Sequence, residues 1–275
     1  NYGYSEGIGA FDIATVQYLY GPNTTKSTGD DVYLLDTTTL NGYRTIWDNG
    51  GSDTISAVNS GAAVVIDLRS ATLLNEAGGG GYLSRVDGQF VGYTIAYNTT
   101  GSAIIENAIG SSSSDRITGN AGANSIDGGS GNDTMTGGNG DDTYIVDSAT
   151  DKVFEDSNEG TDLIQAASTS AGTTFTAAAN VENLTLTDEV ANNATGNTDN
   201  NTLRGNSAAN TLNGLAGNDT IVAGAGDDTI DGGTGNDSMT GGEGNDTYIV
   251  DSATDEVVED SNEGTDLIQA ASTSA

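Results

Sequence analysis

Apolar residues return at every ninth position along two stretches of this chain, and almost everything between them is small or polar. Ile117, Ile126, Met135 and Tyr144 mark the first stretch; Leu203, Leu212, Ile221, Ile230, Met239 and Tyr248 mark the second. Read in register from Gly110, the first stretch is GSSSSDRIT, GNAGANSID, GGSGNDTMT, GGNGDDTYI. The second, from Gly196, is GNTDNNTLR, GNSAANTLN, GLAGNDTIV, AGAGDDTID, GGTGNDSMT, GGEGNDTYI. The shared pattern is Gly-Gly-x-Gly-x-Asp-x-(apolar)-x, its nine positions numbered here as slots one to nine. Six residues of such a unit must turn and three must run as a strand. The slot-eight side chain then points inward, while glycine opens the positive-φ conformations that the turn needs. Two nonapeptides complete one coil, so equivalent turns lie 18 residues apart; Asp115 is expected to stack on Asp133, and Asp219 on Asp237. The fold class predicted is all-β, a right-handed parallel β-roll or β-solenoid, with inward slot-eight residues as its core.

A second repeat lies over the first. Residues 128–171 recur at 232–275, an offset of 104, with changes at six of 44 positions: Ser130/Thr234, Thr134/Ser238, Asn139/Glu243, Asp141/Asn245, Lys152/Glu256 and Phe154/Val258. The first copy runs on into GTTFTAAANVENLTLT whereas the second stops at Ala275, so the natural protein is expected to continue. Between the two stretches, 146–195 lose the glycine register but keep apolar alternation in VENLTLT and TDLIQAA, which suits further short strands. Upstream, DVYLL, AAVVIDL and YTIAY read as strands between Gly and Asn turns. Phe11, Ala14, Thr15, Tyr18 and Leu19 share one helical face ahead of Gly21-Pro22, predicting one short N-terminal helix at about 9–20. The expected organisation is a helix plus β-rich cap over 1–109, a first repeat block over 110–145 and an intervening segment over 146–195. A second block over 196–249 and the start of another intervening segment over 250–275 follow.

Charge turns this scaffold into a chemical question. Forty acidic residues face seven basic ones, with no His, for a formal charge of −33. Such a chain repels nucleic acid and anionic membrane surfaces. Carboxylates stacked at an 18-residue repeat also repel one another unless a cation sits between them. Calcium takes six to eight oxygens, carboxylates and carbonyls alike, in flexible geometry. Magnesium demands a tighter, wetter octahedron, and zinc wants the His or Cys that are absent here. Multiple Ca2+ ions between turns are therefore expected. Single Asp-Gly turns occur without any ion, but ten units in one register favour the metal. Asn124, Asn201 and Asn210 hold the acid slot in three units, and those coils should bind weakly or cap the roll. Trp47 is expected to pack rather than bind. With no Cys there is no disulfide framework. No run approaches the roughly 18 apolar residues of a membrane span, and no basic-then-apolar leader opens the sequence, so export would use another route. A phosphate-binding reading of the glycine loops fails because no Lys follows them.

The nonapeptides resemble those of the repeats-in-toxin (RTX) family. FDIATVQYLYGPN, TGDDVYLL, TIWDNGGSDTIS and IIENAIG make residues 7–142 similar, more narrowly, to the C-terminal part of serralysin-type metalloproteases. The resemblance implies a parallel β-roll loaded with calcium, export by type I secretion machinery, and a secreted, extracellular or cell-surface location. It also implies ligands outside the repeats: Ser27, Gly29 and Asp31 facing Asp48, Gly50, Gly51 and Asp53, with Glu106 at the roll entrance. Ser27 and Asp31 stand where the family has Arg and Thr; a carbonyl survives the first change and the second adds a carboxylate. In the repeats it implies carbonyls at slots two and four and the slot-six acid: Asp115, Gly129, Gly131, Asp133, Gly138, Gly140 and Asp142 in the first block. In the second these are Gly217, Asp219, Gly224, Gly226, Asp228, Gly233, Gly235, Asp237, Gly242, Gly244 and Asp246. Such proteases hold catalytic zinc through His-Glu-x-x-His, and a chain without His cannot. The expectation is a non-catalytic calcium-binding module of a secreted bacterial protein, the C-terminal part of a serralysin-like metalloprotease. The alternative is a structural surface, matrix or adhesin protein of calcium-stiffened coils, with self-association or a surface partner.

Overall fold

The computed structural model describes residues 29–38, 40, 42–46, 48, 50–71, 82–95 and 105–271. The helix expected at 9–20, Ser27 and Trp47 lie outside these. Among the described residues every regular element is a strand, and no helix is long and apolar enough to cross a membrane. The chain divides into two compact units, one of residues 1–144 with 150–153 and one of 145–149 with 154–275.

In the second unit the strands alternate between two parallel sheets. One contains Leu163–Ala166, Asn183–Leu186, Thr202–Arg204, Thr220–Ala225, Ser238–Glu243 and Glu256–Val258 in that order. The other contains Thr174–Thr176, Asn193–Thr195, Thr211–Asn213, Thr229–Asp231, Thr247–Val250 and Leu267–Ala270. Thr202 pairs with Thr220 and Thr220 with Ser238, the 18-residue step that two nonapeptides dictate. Outside the nonapeptides the step lengthens: Leu163 pairs with Asn183, and Thr247 with Leu267, each 20 residues on. The core is correspondingly narrow. Ile164, Leu184, Leu203, Ile221, Met239 and Val257 form one column of paired residues. Phe175, Ala194, Leu212, Ile230 and Tyr248 form the other, onto which the exposed Ile268 pairs. Leu203, Leu212, Ile221, Ile230, Met239 and Tyr248, the slot-eight residues, are fully buried.

The first unit begins with the same kind of stack. Val32–Leu34, Thr54–Ser56, Asn107–Ser111 and Ser125–Gly129 pair in parallel, and Val64–Asp67, Arg116–Thr118 and Thr134–Thr136 form a second parallel row. Ile117, Ile126, Met135 and Tyr144 are buried as their slot requires. One feature breaks the roll: Val64–Asp67 pairs antiparallel with Leu83–Val86, which pairs antiparallel with Gly92–Ile95. Gly92–Ile95 then pairs parallel with Tyr43–Ile46. This meander fits the β-rich character expected upstream of the repeats.

Candidate metal centres

Slot six is where the turn ends and the strand begins, and its side chain is directed back between consecutive coils. In the second unit the backbone N–H of Asp219 donates to Asp237 Oδ1 at 2.8 Å, and that of Asp228 to Asp246 Oδ1 at 2.8 Å. Asn201 and Asn210 donate likewise to Asp219 and Asp228, each at 2.7 Å. In the first unit the same ladder joins Asp115 N–H to Asp133 Oδ1 at 2.7 Å and Asn124 N–H to Asp142 Oδ1 at 2.6 Å. One oxygen of each acid therefore serves the fold. The other does not: Oδ2 of Asp219, Asp228, Asp237 and Asp246 is buried with no hydrogen-bond partner. Leaving a charged oxygen dry and unpaired is costly, and the carboxyls respond. Burial, with the next acid in the stack adding to it, raises Asp219 to about 6 and Asp228 to about 7. Asp237 and Asp246 rise for the same first cause.

The slot-two and slot-four residues of successive turns lie close over one another. Gly224 and Gly242 hold φ of 116° and 96°, and a Cβ on Gly242 would collide with the Gly224 carbonyl oxygen one coil before. Slots two and four elsewhere repeat this, with positive φ at Gly129, Gly131, Gly138, Gly140, Gly217, Gly226, Gly233, Gly235 and Gly244. Leu215 fills slot two without being glycine and still takes φ of 75°. Its carbonyl stands at a candidate position that the glycine pattern missed; only its place in the nine-residue register marks it. The slot-two and slot-four carbonyls and the slot-six carboxylates are all oxygen, the donor set that a hard divalent cation selects.

Where the acid is absent, the coil satisfies itself. Asn201 Oδ1 accepts the Asn197 N–H at 2.7 Å while Nδ2 donates to the Val181 carbonyl. Asn210 is held the same way by Asn206 and the Asn192 carbonyl, and Asn124 by Asn120 and the Glu106 carbonyl. Asp115 resembles these amides more than its fellow acids. Its oxygens accept N–H groups of Val64 at 2.7 Å and Ser111 at 2.5 Å, so the first coil engages both of them within the fold. Burial nonetheless raises its pKa.

A separate acidic group sits near the start of the described residues. Carboxylate oxygens of Asp31, Asp48 and Asp53 lie within 4.8 Å of one another. Asp53 is fully buried, its Oδ1 accepting the Asp31 N–H at 2.8 Å and its Oδ2 lacking a partner. Its own N–H donates to Glu106 Oε2 at 2.8 Å. Burial, aided by the charges of Asp48, Glu106 and Asp31, lifts Asp53 to about 6. Asp48 accepts the Tyr33 hydroxyl at 2.5 Å and the Gly50 N–H at 3.2 Å. Gly51, with φ of 129°, lies so close to the Gly29 carbonyl that a Cβ would not fit. The structure thus brings together Gly29, Asp31, Asp48, Gly50, Gly51, Asp53 and Glu106.

Residues 109–144, 195–230, 213–248 and 222–255 match the family model described as the RTX calcium-binding nonapeptide repeat, in four copies. Serralysin from Proteus mirabilis is 38% identical over 78 residues, an overlap of 24% of this chain and 16% of that relative. The chain thus spans a small part of the relative it matches. It carries RTX calcium-binding repeats, and the oxygens stacked at slots two, four and six suit multiple calcium ions.

Proposed function

We propose that this chain is a secreted, non-catalytic module that folds when calcium becomes available outside the cell, and that it forms the C-terminal part of a serralysin-like metalloprotease exported by type I secretion. One observation carries the reading: the partnerless, buried Oδ2 atoms of Asp219, Asp228, Asp237 and Asp246. Bound calcium supplies positive charge and shared coordination between neighbouring coils. The residues that would hold it are the slot-six acids together with the slot-two and slot-four carbonyls. Without that charge, four dry carboxylates, stacked as Asp219 with Asp237 and Asp228 with Asp246, oppose a core only two columns wide. Where calcium is scarce, repulsion and chain entropy keep the coils open. Extracellular modules bind calcium with Kd of about 10⁻⁴–10⁻³ M, which places folding after export. The likeness to serralysin and the nonapeptide match support the parent and its route.

A calcium titration followed by far-ultraviolet circular dichroism, with magnesium as control and sedimentation alongside, tests this. Cooperative β-structure with calcium alone, in a monomer, is the expected outcome. An unchanged spectrum at millimolar calcium would remove the basis for the reading. The near-identical copies at an offset of 104 favour a second reading, a surface or matrix protein built from many calcium-stiffened coils. Calcium-driven assembly in the sedimentation arm is its signature.

A further inference from the structure

The coil that follows the last nonapeptide of the second unit retains more of the pattern than its letters suggest. Asn262 takes φ of 74°. Gly264 lies over Gly244 so closely that a Cβ would collide with the Gly244 carbonyl. Asp266 Oδ1 accepts the Asp246 N–H at 3.0 Å, as Asp246 itself accepts that of Asp228. These three residues follow Gly242, Gly244 and Asp246 by 20 positions. SNEGTDLIQ, residues 261–269, is therefore a degenerate nonapeptide, with Ser at slot one, Asn at slot two, and Ile268 paired with Tyr248.

The longer coil brings in a third acid. Carboxylate oxygens of Asp246, Glu259 and Asp266 lie within 4.8 Å of one another. Asp246 is 1% exposed, and its Oδ2 is one of the partnerless oxygens. Glu259 is anchored from the core: Tyr248, fully buried at slot eight, donates its hydroxyl to Glu259 and accepts the Gly241 N–H at 2.5 Å. Every other slot eight holds Ile, Leu or Met. Tyr stands there only at Tyr144 and Tyr248, and in both cases a Glu, Glu155 or Glu259, follows 11 residues later. A tyrosine inside a narrow apolar column is thus matched to a carboxylate at its rim.

We propose that Asp246, Glu259 and Asp266 form a calcium site in the coil that follows the second nonapeptide block, with Tyr248 as the positioning residue for Glu259. Glu259 and Asp266 fall after residue 255, where the match to the RTX repeat ends. The inference rests on the calcium-binding reading above and deepens it. Within the row each gap between coils offers at most two slot-six acids; this gap offers two and adds the carboxylate of Glu259. Since charge count tunes calcium affinity, this site is the tightest of the second unit.

The test uses the whole chain, with bound calcium counted by equilibrium dialysis at saturating free calcium. Glu259→Gln and Asp266→Asn should each bind one ion fewer while reaching the wild-type circular dichroism signal. Glu263→Gln, whose carboxylate accepts the Asp260 N–H at 2.8 Å outside the group, should keep the full number. Tyr248→Phe should keep the number but weaken the tightest step about tenfold, the scale of lost support behind a metal ligand. Wild-type number and affinity in both acid variants would overturn the site. If either acid variant fails to fold, Tyr248→Phe decides, and an unaltered tightest step overturns it. A wild-type chain that takes up no calcium would overturn the functional reading itself.

Discussion

At the scale of single residues the slot-six aspartates divide their labour between two oxygens. Oδ1 of Asp219 and Asp228 caps the N–H of Asn201 and Asn210 one coil earlier, and Oδ2 is left dry. The consequence for pH follows from the direction of the shifts. Asp219 and Asp228 stand at about 6 and about 7 in the fold, above the ordinary carboxylate value of about 3.9. Each therefore favours the calcium-free fold when protonated. That contribution is complete below the unfolded pKa and is lost as pH rises through the folded one. In chelator, β-structure by circular dichroism should grow as pH falls from about 7.5 to about 4.5, and Asp219→Asn with Asp228→Asn should flatten the response. A calcium-free spectrum independent of pH would contradict the burial of these carboxyls.

At the scale of elements the unit is the coil, and its length decides what was legible. Period nine announced itself because slots one, two, four, six and eight each repeat a residue type, so the strands, the inward side chains and the 18-residue step could be read directly. SNEGTDLIQ was not legible, because Ser and Asn replace the glycines that carried the signal and the coil has grown to 20 residues. Asn262 does by tolerance of left-handed backbone what glycine does by lacking a side chain. In the first unit DVYLL, AAVVIDL and YTIAY were readable as strands, yet alternation tells a strand which face is buried and never which partner it takes. The antiparallel pairing of 64–67 with 83–86 consequently had no signal. Coils in a solenoid touch only their neighbours, so a core defect is felt locally and relayed along the stack. Ile230 is fully buried between Leu212 and Tyr248. Ile230→Ala should cost about 2–5 kcal/mol, read as a calcium midpoint displaced to higher concentration with the spectrum at saturation retained. An unmoved midpoint would mean that the columns contribute little to the fold.

At the scale of the whole molecule, the net charge of −33 raises the question of whether calcium acts as a ligand or merely as a screening ion. The two are separable because the acids fall into two populations. Exposed carboxylates such as Asp227, whose pKa is lowered by the Asn245 backbone and side-chain hydrogen bonds, see solvent and its ions. Asp219, Asp228, Asp237 and Asp246 do not, being at most 2% exposed. At 1 M salt the Debye length shrinks to about 3 Å, which removes most repulsion among the first population and little among the second. Sodium chloride at that concentration should therefore leave the calcium-free chain largely unfolded. Calcium at millimolar concentration should fold it in low salt and in high salt alike, with a midpoint that salt moves only modestly. The decisive comparison is the circular dichroism signal in 1 M sodium chloride with chelator against that in millimolar calcium alone. If salt by itself restored the β-spectrum, the slot-six acids would be screened rather than coordinated. The orphaned oxygens would then have no ligand role.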